Sequence, residues 1–164
     1  MAEPIVDDLA NERRRISAEY ARRARDLGES KYALWQGAAS LQHASRVREA
    51  AQLLHEAGLD PRPTDKMLEI GCGSLGWLAD LLSLGAKEPD LCGIDLDRER
   101  LANARAALPA ADIREGDAAS LPWADNSFSL VVSSTVFTSI LSPLMRRAVA
   151  SEIVRGLRPG GGLL

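Results

Sequence analysis

The chain has 164 residues, 46% of them hydrophobic and 26% charged, which excludes a disordered, fibrous or disulfide-stapled polypeptide and makes one compact domain the expectation. A formal net charge of −3 supplies no global basic field for a polyanion, so nucleic acid is not an expected partner. Two cysteines, Cys72 and Cys92, suit a reducing compartment, and the sequence shows neither a leader pattern nor an apolar run of about 18 residues, so the expectation is a cytoplasmic protein without a membrane span.

Residues 5 to 27 carry a thin apolar stripe, Leu9, Ile16, Tyr20 and Leu27, whose spacing predicts a helix that buries one narrow seam. Arg13, Arg14, Arg15, Arg22, Arg23 and Arg25 lie on the same segment among a matching set of acids and read as a solvated helical face. Gly28 is expected to end it. A second helix is predicted from Ala38 to Ala57, with Leu41, Ala44, Ala51 and Leu54 recurring on one side and Gly58 as its stop, and Pro61 and Pro63 forbid continuation. Residues 1–60 are thus read as a helical cap and residues 61–164 as a ligand-binding domain.

From Lys66 onward, short apolar runs alternate with helical patterns. Strands are predicted at Lys66 to Ile70, Leu91 to Asp95, Ala111 to Arg114 and Phe128 to Ser133. Helices are predicted at Leu75 to Leu84, at Arg98 to Leu108 behind Asp97 as N-cap, and at Pro143 to Leu157. That cadence specifies an α/β fold, a doubly wound and mostly parallel sheet joined by right-handed crossovers.

Ligands of such sheets sit beyond the carboxyl ends of the strands, which directs attention to the turn after the first one. It reads Leu68-Glu69-Ile70-Gly71-Cys72-Gly73-Ser74-Leu75-Gly76, with Gly71, Gly73 and Gly76 at G-x-G-x-x-G spacing. A dinucleotide would place its pyrophosphate at the following helix N-terminus, yet Glu69 would add negative charge there. S-adenosylmethionine has an ammonium and a sulfonium and no phosphate, and Glu69 can oppose its methionine end directly or through the loop backbone. Asp95 closes the second strand 24 residues after Gly71, near the offset at which an acid accepts from ribose hydroxyls. Asp117 follows the third strand, where a carboxylate could accept from the exocyclic amine of adenine.

These segments, together with Gly93-Ile94-Asp95, Gly116-Asp117-Ala118, the run from Leu121 to Ser134 and Gly156-Leu157-Arg158-Pro159-Gly160-Gly161, resemble the ordered motifs of class I S-adenosylmethionine-dependent methyltransferases over about residues 66 to 164. The resemblance implies a Rossmann-like methyltransferase fold and S-adenosylmethionine as cofactor. It also implies that Glu69, Gly71 and Gly73 shape the methionine pocket, that Asp95 holds the ribose with Leu96 beside the adenine, and that Asp117 and Ala118 meet the adenine edge. Ser133 would lie near the methyl donor. Two positions depart from the family pattern: Leu75 stands where a glycine is common, and Phe128-Ser129-Leu130 has a hydroxyl where the family usually has a structural carboxylate.

The activity implied is methyl transfer by in-line displacement to a small-molecule or glycan acceptor, with oxygen favoured as the acceptor atom. The alternatives are a cofactor-binding or assembly module without turnover and an NAD-dependent oxidoreductase. No catalytic residue is identified. His43 is a candidate base, and His55 reads as a helix-terminus residue. Tyr32 and Trp35 are expected in the packing of the cap, Trp77 in the core and Trp123 in a structural role, and Thr135, Phe137 and Thr138 are candidates for the acceptor pocket. Cysteines and histidines lack zinc-ligand spacing, so no metal is expected. In the family the segment from Pro159 to Gly162 leads into a fifth strand, so Leu163 and Leu164 would be its first residues and the later strands would be absent. A fourth strand left uncovered would be an edge, so the expectation is either a fragment of a longer protein or a dimer whose partner covers that edge.

Overall fold

Five parallel strands organise the structure, a computed structural model that describes residues 3–27 and 37–164. They are β1 (Met67–Ile70), β2 (Leu91–Asp95), β3 (Asp112–Glu115), β4 (Phe128–Val132) and β5 (Leu157–Leu163), in the sheet order β3-β2-β1-β4-β5. Every neighbouring pair is parallel, with Met67 opposite Leu91 on one side and Leu130 on the other. The strand order reverses between β1 and β4, which opens a crevice at the carboxyl ends of the strands.

Helices cover both faces, so the central strands are apolar on both sides rather than alternating with polar residues. Met67, Leu91, Leu130 and Val132 face one layer, where α2 (Gly37–Glu56), α3 (Gly76–Ser83) and α4 (Arg98–Ala107) contribute Leu54, Leu78 and Leu101. Leu68, Ile70, Ile94 and Val131 face the other, packed by Ile16 of α1 (Glu3–Leu27) and by Met145, Val149 and Ile153 of α6 (Pro143–Gly156). The two N-terminal helices pack on opposite faces of the sheet, α2 through Ala50 and Leu54 and α1 through Ile16. Gly28, Tyr32 and Trp35 lie outside the described residues.

Predicted boundaries agree with the observed ones to within a residue or two, and Asp97 caps α4 as expected, its Oδ1 accepting from Glu99 N at 3.0 Å and Arg100 N at 3.1 Å. Two short elements were not anticipated, a 3-10 turn at Glu88–Asp90 and the one-turn helix α5 (Val136–Ser139). Both are too short for a periodic apolar signal.

The end of the chain corrects a further expectation. The fifth strand begins at Leu157, not Leu163, and pairs Leu157 with Phe128, Gly162 with Leu130 and Leu163 with Val131 across a register irregularity. Gly161 makes this possible, because a Cβ there would meet the carbonyl oxygens of Phe128 and Ser129 at 3.0 Å. β4 consequently lies between β1 and β5 and is not an edge, so the premise for a second copy covering it does not hold. Ser129, at the position of the usual carboxylate, donates its hydroxyl to Lys66 O at 3.1 Å and ties β4 to the entry of β1.

Candidate functional site

The glycine turn is held from below by backbone contacts. Gly71 and Cys72 both donate their N–H to Ile94 O, at 2.8 and 3.2 Å, which draws the turn against the end of β2. Gly71 has φ +72°, and a Cβ there would lie 2.6 Å from Cγ2 of Val136, so both conformation and space demand glycine.

Glu69 does not line the cavity; it is buried beneath the turn at the start of α3. Its Oε2 accepts from Leu78 N at 2.9 Å, and its carboxylate also accepts from the N–H of Trp77. Burial pushes its pKa up to about 7, against the pull of those two backbone donors, and the nearby Asp80 and Asp95 charges push in the same direction as burial. The site a pyrophosphate would use at a helix N-terminus is thus already filled by a carboxylate of the protein itself.

Asp95 stands at the end of β2 with both oxygens engaged by backbone, Oδ2 by Gly73 N and Oδ1 by Asp97 N, each at 2.9 Å. Each oxygen keeps a further lone pair. Asp117, after β3, accepts from Ala119 N through Oδ1 at 2.9 Å, and its Oδ2 lies 2.9 Å from Nε of Arg13 on α1.

Between these groups and α1 lies a cavity of about 400 Å³. Gly71, Asp95, Leu96, Asp117 and Ala118 line it, so five of the eight residues singled out from sequence surround one space. Glu69 and Gly73 support it from the turn. Ser133, at the end of β4, is not part of the cavity lining; its backbone N–H is bonded to Leu164 O, and its buried hydroxyl has no hydrogen-bond partner among the described residues. Sequence reasoning missed the opposite wall, which is made by Ile16, Ser17 and Tyr20 of α1 and by Ile140, Met145 and Val149. The stripe positions Ile16 and Tyr20 were the available signal.

α1 is fastened over this cavity by polar contacts. The buried carboxylate of Glu12 accepts from the backbone N–H groups of Leu141 and Ser142 and from Arg15. Arg15 and these donors together lower the Glu12 pKa to about 2, outweighing burial, which alone would raise it. Asp8 accepts from the Ser142 hydroxyl at 2.7 Å, and Arg15 reaches Ser139 O. The arginine-rich face is therefore divided: Arg13 and Arg15 dock on the domain, while Arg22 and Arg23 pair with Glu19 on their own helix.

The remaining candidates are placed elsewhere. His43 points away from the cavity lining and meets Asp80, Nε2 to Oδ1 at 3.0 Å. His55 pairs with Asp60 at the end of α2. Trp77 is buried beside α2, with the Arg46 guanidinium over its ring, and Trp123 packs edge-on against Phe128 while donating Nε1–H to Asp112. Thr135, at φ +63°, turns the chain into α5, and its neighbours Val136 and Ser139 line the cavity where Thr135, Phe137 and Thr138 were expected. Cys72 and Cys92 are buried free thiols, pushed by burial up to about 12 and about 11. Among the described residues, no helix is long and apolar enough to cross a membrane.

The methyltransferase domain family matches residues 67–161, more than half of the chain, and the chain belongs to these class I S-adenosylmethionine-dependent methyltransferases. It is 40% identical over 101 residues to phthiotriol/phenolphthiotriol dimycocerosates methyltransferase 1 of Mycobacterium ulcerans, covering 60% of this chain and 36% of that protein. The Mycobacterium tuberculosis protein of the corresponding name is 39% identical over 98 residues, covering 58% of this chain and 35% of its own length. An S-adenosylmethionine-dependent methyltransferase from Methanosarcina mazei shares the fold with a TM-score of 0.58 at 29% identity, over 68% of this chain and 54% of that one. The chain thus spans about a third of the length of these curated relatives.

Proposed function

We propose that this chain binds S-adenosylmethionine in the cavity beneath α1 and, in the protein to which it belongs, supports methyl transfer to an oxygen of a small-molecule or glycan acceptor. The observation that carries the reading is Glu69. A carboxylate occupying the N-terminus of α3 disfavours a phosphate-bearing cofactor and suits one whose adjoining end is cationic. Asp95 has lone pairs left for the ribose hydroxyls, and Asp117, which lines the same cavity, is the proposed acceptor for the adenine amine.

S-adenosylmethionine supplies an already activated methyl group on a sulfonium. The protein's task is then chiefly to hold donor and acceptor in line and to exclude water, and the apolar wall of Ile16, Ile140, Met145 and Val149 serves the second purpose. An oxygen acceptor gives up a proton as it is methylated, and His43, bonded to Asp80 away from the cavity, is not positioned to take it here. The two mycobacterial relatives are named for phthiotriol and phenolphthiotriol compounds, which supports a hydroxyl-bearing acceptor for this chain as well.

Calorimetric titration with S-adenosylmethionine, S-adenosylhomocysteine and NAD tests the assignment. Both adenosyl ligands are expected to bind and NAD is not; binding of NAD alone would overturn the reading.

A further inference from the structure

α1 places the phenol of Tyr20 in the wall of the cavity, and two contacts locate it along the helix. Arg13, seven residues earlier, meets Asp117 with Nε 2.9 Å from Oδ2. The Tyr20 ring instead has the Arg100 guanidinium 5.5 Å from its centroid, and that guanidinium lies against Gly73 of the glycine turn. α1 thus runs about 10 Å from the adenine side of the cavity to the side where the glycine turn would hold the methionine portion. Tyr20 stands at the second end.

A smaller pocket of about 150 Å³ adjoins the cavity between α1 and α5, and Ile16, Tyr20 and Ser139 line both spaces. Tyr20 Oη and Ser139 Oγ are 3.2 Å apart, so a hydrogen-bonded pair stands where the two spaces meet. The direction of that bond follows from its neighbours. Ser139 directs its only hydroxyl proton to Thr135 O at 3.2 Å, which leaves its oxygen to accept, so the phenol donates. The lone pairs of Tyr20 Oη then remain for a hydroxyl from outside. Arg15 and Arg23 also border the small pocket, but each is paired with a glutamate, Glu12 and Glu19 respectively, so these walls present balanced charge and suit a neutral ligand. Leu141, 62% exposed, carries the lining outward as hydrocarbon.

We propose that the small pocket receives the methyl acceptor as a neutral alcohol on a hydrocarbon body, and that Tyr20 accepts the hydrogen bond of its hydroxyl, an assignment that rests on the S-adenosylmethionine reading of the larger cavity. Ser139 is a positioning residue, since it fixes the phenol by accepting its proton in a hydrogen bond. Thr138 lines the small pocket and donates to the same Thr135 carbonyl at 2.6 Å, which holds this turn of α5 in place. The chain from the alcohol through Tyr20 and Ser139 ends on a carbonyl, which does not take up a proton. It therefore orients the hydroxyl, spending the alcohol's proton on Tyr20 and leaving an oxygen lone pair to face the larger cavity.

The test uses the 164-residue chain saturated with S-adenosylhomocysteine and titrated, by NMR, with cyclohexanol and with methoxycyclohexane, the ether that lacks the hydroxyl proton. Cyclohexanol should bind about fivefold tighter, the effect of one neutral hydrogen bond, and should shift the signals of Thr138 and Leu141. In Tyr20→Phe, which keeps the ring, the preference should fall to within about 1.5-fold while S-adenosylhomocysteine affinity stays within about twofold of wild type, and Ser139→Ala should give an intermediate preference. A wild-type chain that binds the two probes equally, binds neither, or shows shifts only away from the small pocket overturns the proposal without reference to any variant. So do Tyr20→Phe or Ser139→Ala variants that keep the full preference. A chain that fails to bind S-adenosylhomocysteine overturns the cofactor reading itself, a distinguishable result.

Discussion

Oδ2 of Asp95 accepts the N–H of Gly73 at 2.9 Å, so the acid expected to hold a ribose also clamps the turn expected to cradle the methionine end. Its second oxygen takes the N–H of Asp97 and thereby orients the N-cap of α4. Asp95→Asn keeps one acceptor and sets an amide N–H2 against the other donor. This should cost about 1–2 kcal/mol of stability and weaken S-adenosylhomocysteine, measured by urea unfolding and calorimetry. Weakened binding with unchanged stability would mean that the clamp contributes nothing to the fold.

Asp117 should discriminate between purines. A carboxylate accepts from the 6-amino group of adenine and repels the 6-carbonyl of hypoxanthine, and sites built around such a bond reject the mismatched analogue strongly. The chain is expected to prefer S-adenosylhomocysteine over S-inosylhomocysteine, and Asp117→Asn, whose amide can donate, should remove most of that preference. Arg13→Ala should change stability by less than about 1 kcal/mol, because its half-exposed pair with Asp117 is screened by water.

Glu12 fastens α1 to the domain, and its removal should be felt there. Glu12→Ala leaves the N–H groups of Leu141 and Ser142 without their acceptor and should cost on the order of 2–3 kcal/mol at neutral pH. The folded-state pKa of about 2 lies below the ordinary 4.5. The wild-type contribution is therefore complete above pH 4.5 and is lost as pH falls through about 2, whereas Glu12→Ala should lack this part of the acid transition. Thermal melts across that range give the comparison.

The sheet was legible because buried parallel strands write themselves as short apolar runs, and Asp97, Gly71 and Asp95 were legible because turn and cap chemistry is local. The wall opposite them was not. Glu12 sits within the seam of Leu9, Ile16 and Tyr20, where an acid looks like a solvated neighbour until the N–H groups of Leu141 and Ser142, some 130 residues away, are known to face it. β5 was misplaced for a related reason: Arg158, Pro159 and three glycines carry no strand signal, and only the partner β4 makes that backbone extended.

Glu69 should shape the neutral pH range as Glu12 shapes the acidic one, with the opposite sign. Its folded-state value of about 7 lies above the ordinary 4.5, so its favourable contribution is complete below pH 4.5 and is lost as pH rises through about 7. Glu69→Gln stays neutral throughout. Relative to that variant, wild-type stability should decline between pH 4.5 and 7 and level off above, a trend that paired denaturant titrations at several pH values would reveal. A constant difference would mean that Glu69 ionises in the folded chain as readily as in the unfolded one.

The contact between Glu69 and Gly76 allows a steric test of the same buried carboxylate. A Cβ at Gly76 would lie 2.8 Å from Cδ of Glu69, and the carboxylate cannot swing aside without releasing the N–H groups of Trp77 and Leu78. Gly76→Ala would gain helix propensity at the first position of α3, worth up to about 1 kcal/mol. The clash should exceed that gain and leave a net loss of about 1–3 kcal/mol. Gly37→Ala, at the start of α2 with nothing among the described residues within 4 Å of the new methyl, serves as the control. If Gly76→Ala melted at or above the wild-type temperature, Glu69 could not be the fixed support of the turn that its two backbone bonds imply.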